Sequence, residues 1–302
     1  MRPPGIGDGF LLVDKEEGWT SHDVVAKVRR LVGGKVGHAG TLDPMATGLL
    51  VLGLGRSTRL LRFVQGFEKE YRATALFGVA TDSLDADGAI IDRSPLPVDT
   101  DQLEEAAERF RGSILQIPPM VSARKVEGRR LYELARAGQI VEREARPVEI
   151  YSLVFTDFAP SDYPEVSFEV VCSTGTYVRT LADDLARVLG GRAHLTRLRR
   201  VRNGTLDVAD AMSVDQVEAA TADGTVESLV IDPATALSDI PGIEVESSYI
   251  PGIRNGAAIP TAALLDGEDG AAQGLVRLLT DGVLLGVYRL DGPSAKPEVV
   301  TT

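Results

Sequence analysis

Apolar positions along this 302-residue chain change period repeatedly, and each change marks a predicted element. Phe10-Leu11-Leu12-Val13 is an unbroken apolar run and reads as a first strand. From Ser21 to Leu31 the period lengthens. Val24, Val25, Val28 and Leu31 fall on one helical face, Thr20 or Ser21 can cap the helix, and Gly33-Gly34 ends it. Leu49-Leu50-Val51-Leu52-Gly53-Leu54 predicts a buried strand, and Ser57 to Val64 a short helix with Arg56, Arg59 and Arg62 at its polar positions. Tyr71 to Phe77 alternates as a strand does.

Further along, Asp101 to Phe110 is an acidic amphipathic helix capped at Asp99 or Thr100. Gly112 to Met120 reads as strand and turn, with Pro118-Pro119 stopping any helix, and Leu131 to Ala137 as a helix. Glu149 to Phe155 and Val166 to Val171 are two more strands, followed by a helix over Tyr177 to Leu189. Leu195 to Val201 alternates apolar and basic residues, as an edge strand lining a charged groove would. A short helix near Ser213 to Ala220 closes this part. These elements give a catalytic-sized unit over residues 1–220. Residues 221–245, rich in Ala, Asp, Ser and Pro, read as a linker. Residues 246–302, with strands at Gly274 to Leu279 and Val283 to Leu290, read as a small β-domain.

Composition narrows the class. Hydrophobic content of 44% supports a real core. No apolar run approaches the ~20 residues that span a bilayer, and the N-terminus lacks the apolar core of a signal peptide. A single cysteine, Cys172, leaves no disulfide framework and no cysteine-rich zinc site, so a reducing cytoplasm is expected. The net charge of −12 argues at first against nucleic acid. Its distribution reverses that. Residues 203–302 hold 16 acidic and 4 basic side chains, while residues 1–202 balance at 28 of each. Arg179, Arg187, Arg192, Arg197, Arg199, Arg200 and Arg202 face only Asp183 and Asp184 in the same stretch. Local field decides anion binding, and arginine favours phosphate; a solvated basic surface is the plainer reading of the same cluster.

The most unusual stretch is Gly37-His38-Ala39-Gly40-Thr41-Leu42-Asp43-Pro44-Met45-Ala46-Thr47-Gly48. Proline biases Asp43 away from the α-region, and the glycines let backbone or ligand approach. A carboxylate fixed in this way suits a nucleophile or general base, although an aspartate before proline is also an ordinary turn former. A glycoside hydrolase would need a second carboxylate, for which Asp85 and Asp183 are candidates. Nothing close in sequence pairs with Asp43. His22, His38 and His194 share no ligand spacing, so no metal is expected. Asp82, Asp85 and Asp87 resemble a calcium loop only faintly, because the glycine comes too early and no glutamate completes the pattern. Tyr71, flanked by Lys69 and Arg72, could stack on a base; Tyr177 and Arg179 open a helix where anions are favoured. An RNA-binding chaperone without chemistry also fits the arginine cluster, but leaves Asp43 without a role.

The glycine-rich stretch resembles the catalytic motif of the TruB family, the bacterial tRNA pseudouridine-55 synthases. Asp14-Lys15 with Gly18-Trp19-Thr20-Ser21 resembles the family's first motif, and Lys69-Glu70-Tyr71-Arg72-Ala73 its second. Ser122 to Val126 with Gly128 to Arg136, Cys172 to Leu181, and His194 to Arg200 resemble further signatures in the right order. The resemblance implies an α+β fold, with a mixed, mainly antiparallel sheet, flanking helices and a C-terminal PUA-like β-domain. It implies Asp43 as nucleophile, Tyr71 stacking on the target uracil and acting in the proton step, and Arg179 paired with Asp43. His38, Tyr177 and Leu198 would contact the flipped nucleotide and its surroundings, and Lys15 would support the site. The implied partner is the T-arm stem-loop of tRNA, acted on by a cytoplasmic monomer with no cofactor or metal. The family usually has Lys-Pro where this chain has Lys15-Glu16, and its C-terminal segment here is acidic.

Overall fold

The computed structural model describes residues 6–120, 125–126, 129–130, 141–265 and 273–301. Strand β1 (Gly9–Lys15) runs into helix α1 (Ser21–Val32), whose first turn is closed by a capping box between Thr20 and Asp23. Strand β2 (Val36–His38) and strand β3 (Thr47–Leu54) enclose the glycine-rich loop. The expected helix over 57–64 is divided: a 3-10 turn at Gly55–Arg59 precedes helix α2 (Leu61–Gly66). Strand β4 (Lys69–Phe77) leads to a hairpin of β5 (Val79–Thr81) and β6 (Ile90–Arg93), then helix α3 (Thr100–Glu108) and strand β7 (Gly112–Gln116). Two short strands, β8 (Lys125–Val126) and β9 (Arg129–Arg130), pair with each other. The helix expected over 131–137 lies outside the described residues.

Strands β10 (Arg146–Ala159) and β11 (Glu165–Cys172) are followed by helix α4 (Val178–Val188), strand β12 (Ala193–Asn203), strand β13 (Leu206–Asp207) and helix α5 (Val214–Ala222). The sheet runs β1-β3-β12-β4-β11-β10-β7, with β2 and β13 at the side. All its pairings are antiparallel except β12 with β3. This is the mixed, mainly antiparallel sheet with flanking helices that the sequence led one to expect. Among the described residues no helix is long and apolar enough to cross a membrane.

The unbroken apolar runs have a structural cause. Leu11, Val13, Leu50 and Leu52 point into a core with Val24 and Val28 of α1 and Leu181 and Leu185 of α4. Phe10, Leu12, Leu49 and Val51 point the other way and are covered by Phe63 and Val64 of α2, by Ala236 and Leu237, and by Leu284 and Val299. A strand covered on both faces has no polar side to alternate with. Each fully buried aliphatic side chain here contributes about 1.5–3 kcal/mol.

The C-terminal unit is a five-stranded sheet of β14 (Gly242–Glu244), β15 (Ile259–Pro260), β16 (Gly274–Thr280), β17 (Val283–Asp291) and β18 (Ser294–Val300). Residues 221–245, read from composition as a linker, are packed. Ile231 exchanges backbone hydrogen bonds with Phe10, and Ala234, Ala236, Leu237 and Ile240 are buried. Their small and isolated apolar positions escaped a reading by composition. Arg62 donates to the Glu298 carbonyl (2.9 Å) and carboxylate (2.8 Å), so α2 is tied to the C-terminal sheet.

One expectation is overturned. β12 is not an edge strand; it lies between β3 and β4. Its charges are tolerated inside the sheet because an adjacent strand and the next strand but one supply partners. Arg199 grips Asp14 of β1 through two bonds of 3.0 and 2.6 Å, and Arg202 meets Glu70 of β4 at 2.7 Å.

Candidate active site

The loop between β2 and β3 holds Asp43 by fastening both of its neighbours. Ser21 Oγ of α1 accepts from the Leu42 amide at 2.8 Å and donates to the Leu42 carbonyl at 3.2 Å. On the other side, the Pro44 carbonyl accepts from the Gly18 amide at 2.9 Å and from Lys15 Nζ at 3.2 Å. Lys15 is fully buried and also donates to the carbonyls of Trp19 (2.7 Å) and Glu16 (2.9 Å). Glu16 therefore serves this loop through its backbone, which a glutamate supplies as well as a proline. Burial pushes the Lys15 amine down to about 8, with Asp43 and Glu17 pulling the other way. Gly48 lets β3 begin against β12: its φ is +98°, and a Cβ there would stand 2.2 Å from the Arg200 carbonyl oxygen.

Arg179, in the first turn of α4, brings distant carboxylates together. Its Nε lies 3.0 Å from Asp43 Oδ2, and its Nη1 lies 2.8 Å from Asp85 Oδ2. The guanidinium is 2% exposed, Asp85 is 5% exposed and Asp43 33%, so only Asp43 opens to solvent. The polar turn between β5 and β6 is thus an anchor for Arg179. Ser83 Oγ donates to Asp85 Oδ1 at 2.5 Å, the Asp87 amide donates to the same oxygen at 3.2 Å, and the Ser83 carbonyl accepts from Arg179 at 2.9 Å. Leu84 takes the left-handed region at φ 65° to make this turn, a strained position for a leucine. Burial raises the Asp43 carboxyl above the ordinary range, Arg179 opposes that, Asp85 adds to it, and Lys15 opposes it again. The result is a fixed and unusually basic carboxylate at the floor of a cleft.

That cleft has a volume of about 350 Å³ and is lined by Asp43, Lys69, Tyr71, Tyr177, Leu198 and Arg200, among others. Tyr71 comes from β4, and burial pushes its phenol up. Tyr177 is held at the start of α4 by Gln116 of β7, which accepts from the Tyr177 amide at 2.7 Å and donates to its carbonyl at 3.1 Å. Two aromatic walls, one leucine and a charged floor make a slot suited to a flat polar ring. Five of the seven expected residues meet here: Asp43, Tyr71, Tyr177, Arg179 and Leu198. Lys15 sits behind the loop. His38 does not line the cleft; it packs edge-on against His22, with ring centroids 5.5 Å apart. Burial and the neighbouring His22 and Arg200 push His38 down.

Comparison with known proteins gives the family. Residues 27–178 match the sequence profile described as TruB family pseudouridylate synthase (N terminal domain), and residues 179–237 match that of the tRNA pseudouridylate synthase B C-terminal domain. The chain belongs to the TruB family. It is 38% identical over 300 residues to the tRNA pseudouridine synthase B of Haemophilus influenzae (strain PittEE), covering 98% of this chain and 95% of that protein. It is 48% identical over 225 residues to the protein of the same name from Thermobifida fusca (strain YX), covering 71% and 75%. Among solved structures, the chain resembles one titled as a Cbf5-Nop10-Gar1 complex, with a TM-score of 0.74, 25% identity, and coverage of 97% of this chain and 84% of that one.

Within this TruB chain, three supporting residues escaped the sequence reading. Asp85 was visible only as one acidic residue of a turn, and as a candidate second carboxylate for a glycoside hydrolase. Both of its oxygens are engaged by Arg179, Ser83 and the Asp87 amide, so it is a support for Arg179. Asp183, the other candidate, is held by Arg187 at 2.8 Å and Arg192 at 2.7 Å. Gln116 carried no signal at all. Arg200 was one of seven arginines, of which Arg179, Arg187, Arg192, Arg199 and Arg202 prove to be paired with carboxylates. The cluster is therefore largely neutralised by its own partners and is not a free phosphate patch.

Proposed function

We propose that this chain isomerises a uridine in the T-arm loop of tRNA, at position 55, to pseudouridine. The observation that carries the reading is the Asp43–Arg179 ion pair at 3.0 Å, formed by residues from distant segments at the floor of an aromatic-walled cleft. The family assignment and the names carried by the Haemophilus influenzae and Thermobifida fusca relatives support the same reading.

The target base must leave the folded RNA, at a cost of a few kcal/mol. Stacking on Tyr71 returns roughly 1–3 kcal/mol of that. Asp43 acts as the nucleophile, held ionised by Arg179. The C1′–N1 bond breaks, the uracil turns while the cleft holds it, and C5 bonds to C1′. Asp43 is released, and Tyr71 takes part in removing the C5 proton. Tyr177 and Leu198 confine the ring, Lys15 fixes the Asp43 loop, and His38 meets the RNA outside the cleft. Residues 1–220 form the catalytic unit and residues 246–302 a PUA-like accessory unit, joined through the packed 221–245 segment. The protein works as a monomer in the cytoplasm.

Asp43→Asn keeps the shape of the carboxylate and removes its nucleophilicity. Incubated with a tRNA transcript, that variant is expected to give no pseudouridine above background. Conversion at a near wild-type rate would remove Asp43 from the role. A transcript with cytidine at position 55 tests the site: pseudouridine formed elsewhere in it would refute the T-arm assignment.

A further inference from the structure

Arg200 is a buried cation with no anion. It is 1% exposed, and among the described residues it forms no ion pair. Its Nε donates to the Leu49 carbonyl at 2.7 Å and its Nη2 to the Gly40 carbonyl at 3.1 Å. Both acceptors are neutral. A buried charge is expensive unless something negative is placed against it at some stage. The strand register shows what stands opposite. On one side Arg200 pairs with Gly48 of β3, and on the other it pairs directly with Tyr71 of β4. Side chains at directly opposed positions touch. Arg200 and Tyr71 line the same cleft, and the guanidinium charge acts on the phenol, favouring its ionised form against the effect of burial.

We infer that Arg200 is a positioning residue for Tyr71: its guanidinium donates to the phenolic oxygen and is the standing counter-charge for the phenolate during removal of the C5 proton. This rests on the functional reading above. The step balances. Once C5 has bonded to C1′, the ring still carries its C5 hydrogen and lacks one on N1. N1 takes a proton from water, and the hydroxide so formed takes the Tyr71 phenol proton. The resulting phenolate takes the C5 proton, the C5–H electron pair returns to the ring, and the phenol is restored. Tyr71 is also faced by Asp43 from the catalytic loop and Cys172 from β11, both of which disfavour the phenolate, and Lys69 lines the cleft two residues away on β4. Arg200 is the cation placed against the phenol itself. The two carbonyl contacts fix its direction, which a lysine could not do with one point charge.

The test compares wild type, Arg200→Gln, Arg200→Lys and Tyr71→Phe on a tRNA transcript carrying hydrogen or deuterium at C5 of the target uridine. Single-turnover conversion by Arg200→Gln is expected to slow about 100-fold. A C5 isotope effect, small in wild type, should appear in that variant, and its rate should keep rising into more alkaline solution. Arg200→Lys keeps the charge but loses the two carbonyl contacts, so it should restore the wild-type isotope effect and pH profile only in part. Ultraviolet titration, with Tyr71 isolated by subtracting the Tyr71→Phe spectrum, should show ionisation of Tyr71 about one to two units higher in Arg200→Gln. A slowed Arg200→Gln with no isotope effect and an unmoved Tyr71 titration overturns the inference and leaves Arg200 merely structural. Should Arg200→Gln fail to fold, NMR of the wild-type protein decides. A slowly exchanging arginine Nη proton in contact with the Tyr71 ring is expected, and its absence overturns the pairing. If wild type itself makes no pseudouridine, the functional reading fails, while the titration and NMR results still judge the Arg200–Tyr71 pair.

Discussion

Replacing Asp85 by asparagine perturbs Asp43 without touching it. The two carboxylates share one guanidinium, Asp43 on Nε and Asp85 on Nη1. Two unit charges ~4 Å apart in surroundings of effective dielectric ~20 interact by about 4 kcal/mol. Standing on different nitrogens, the two groups feel about half of that, ~2 kcal/mol, and at about 1.36 kcal/mol per unit this is roughly one to two pK units. The sign follows from the charges. Asp85 raises the Asp43 carboxyl, so its removal lowers it, and the acid limb of the conversion rate should move to lower pH by roughly one to two units. A less basic carboxylate is also a weaker nucleophile, so the plateau rate should fall about tenfold. Asparagine can keep its one carbonyl oxygen on Arg179 and turn its amide to donate to Ser83 Oγ, leaving the Asp87 amide without its acceptor, so the fold should lose about 1–3 kcal/mol, less than the ~3–5 kcal/mol for stranding a buried charge. Rapid-quench single turnovers across a pH series, with denaturant melts alongside, measure both quantities. An acid limb that stays in place or moves to higher pH refutes the shared-guanidinium account.

Asp43→Asn should abolish conversion yet leave the protein at least as stable as wild type at neutral pH. Asp43 holds its proton more tightly when folded than when unfolded, so its ionised form weakens the fold above that range, and thermal melts at pH 7.5 read the difference. Gly48→Ala should cost at least ~3 kcal/mol or prevent folding, since its Cβ would meet the Arg200 backbone. Gly175→Ala, equally left-handed at φ +88° but with open space around it, should cost only about 1–2 kcal/mol in the same urea titration. Cys172 is buried and its thiol is pushed up to about 11, so the folded protein should resist thiol reagents at pH 8 and react fully once denatured.

What the sequence made legible was local or periodic. The strands at 10–13 and 49–54 announced themselves because both faces are covered, and α1 because Thr20 and Gly33 punctuate it. Asp43 stood out because glycine and proline shape its own loop. The rest of the site is made by contacts between segments that carry no mark of one another. Arg179 was named through resemblance to a family, and nothing in residues 81–88 says that Asp85 will meet it. β12 looked like an edge because alternate positions are basic, a pattern that holds only if adjacent strands are neutral. Here Glu70 on the adjacent β4 and Asp14 on β1, one strand beyond β3, absorb the charge. The 221–245 segment failed for the opposite reason: its average composition is that of a linker, while single residues such as Ile240 and Leu237 decide its packing.

The same pairing explains how an acidic chain can present a site for an anion. Four buried cations, Lys15, Lys69, Arg179 and Arg200, lie around the cleft floor, against the buried carboxylate of Asp85 and the half-buried one of Asp43. Arg179 takes up both carboxylates, which leaves the other three cations facing carbonyl groups and the Tyr71 phenol. Lys15 is offset by Asp43 and Glu17, while Lys69 and Arg200 line the cleft and direct their field into it. Burial pushes both lysines down to about 8. Both stay mostly protonated at neutral pH, and an anion in the cleft holds Lys69 protonated further into alkaline solution. The charge excess of the C-terminal hundred residues lies outside this arrangement. Net charge therefore misleads for this chain, because the acidic residues that set it and the cations that line the cleft belong to different parts of the fold.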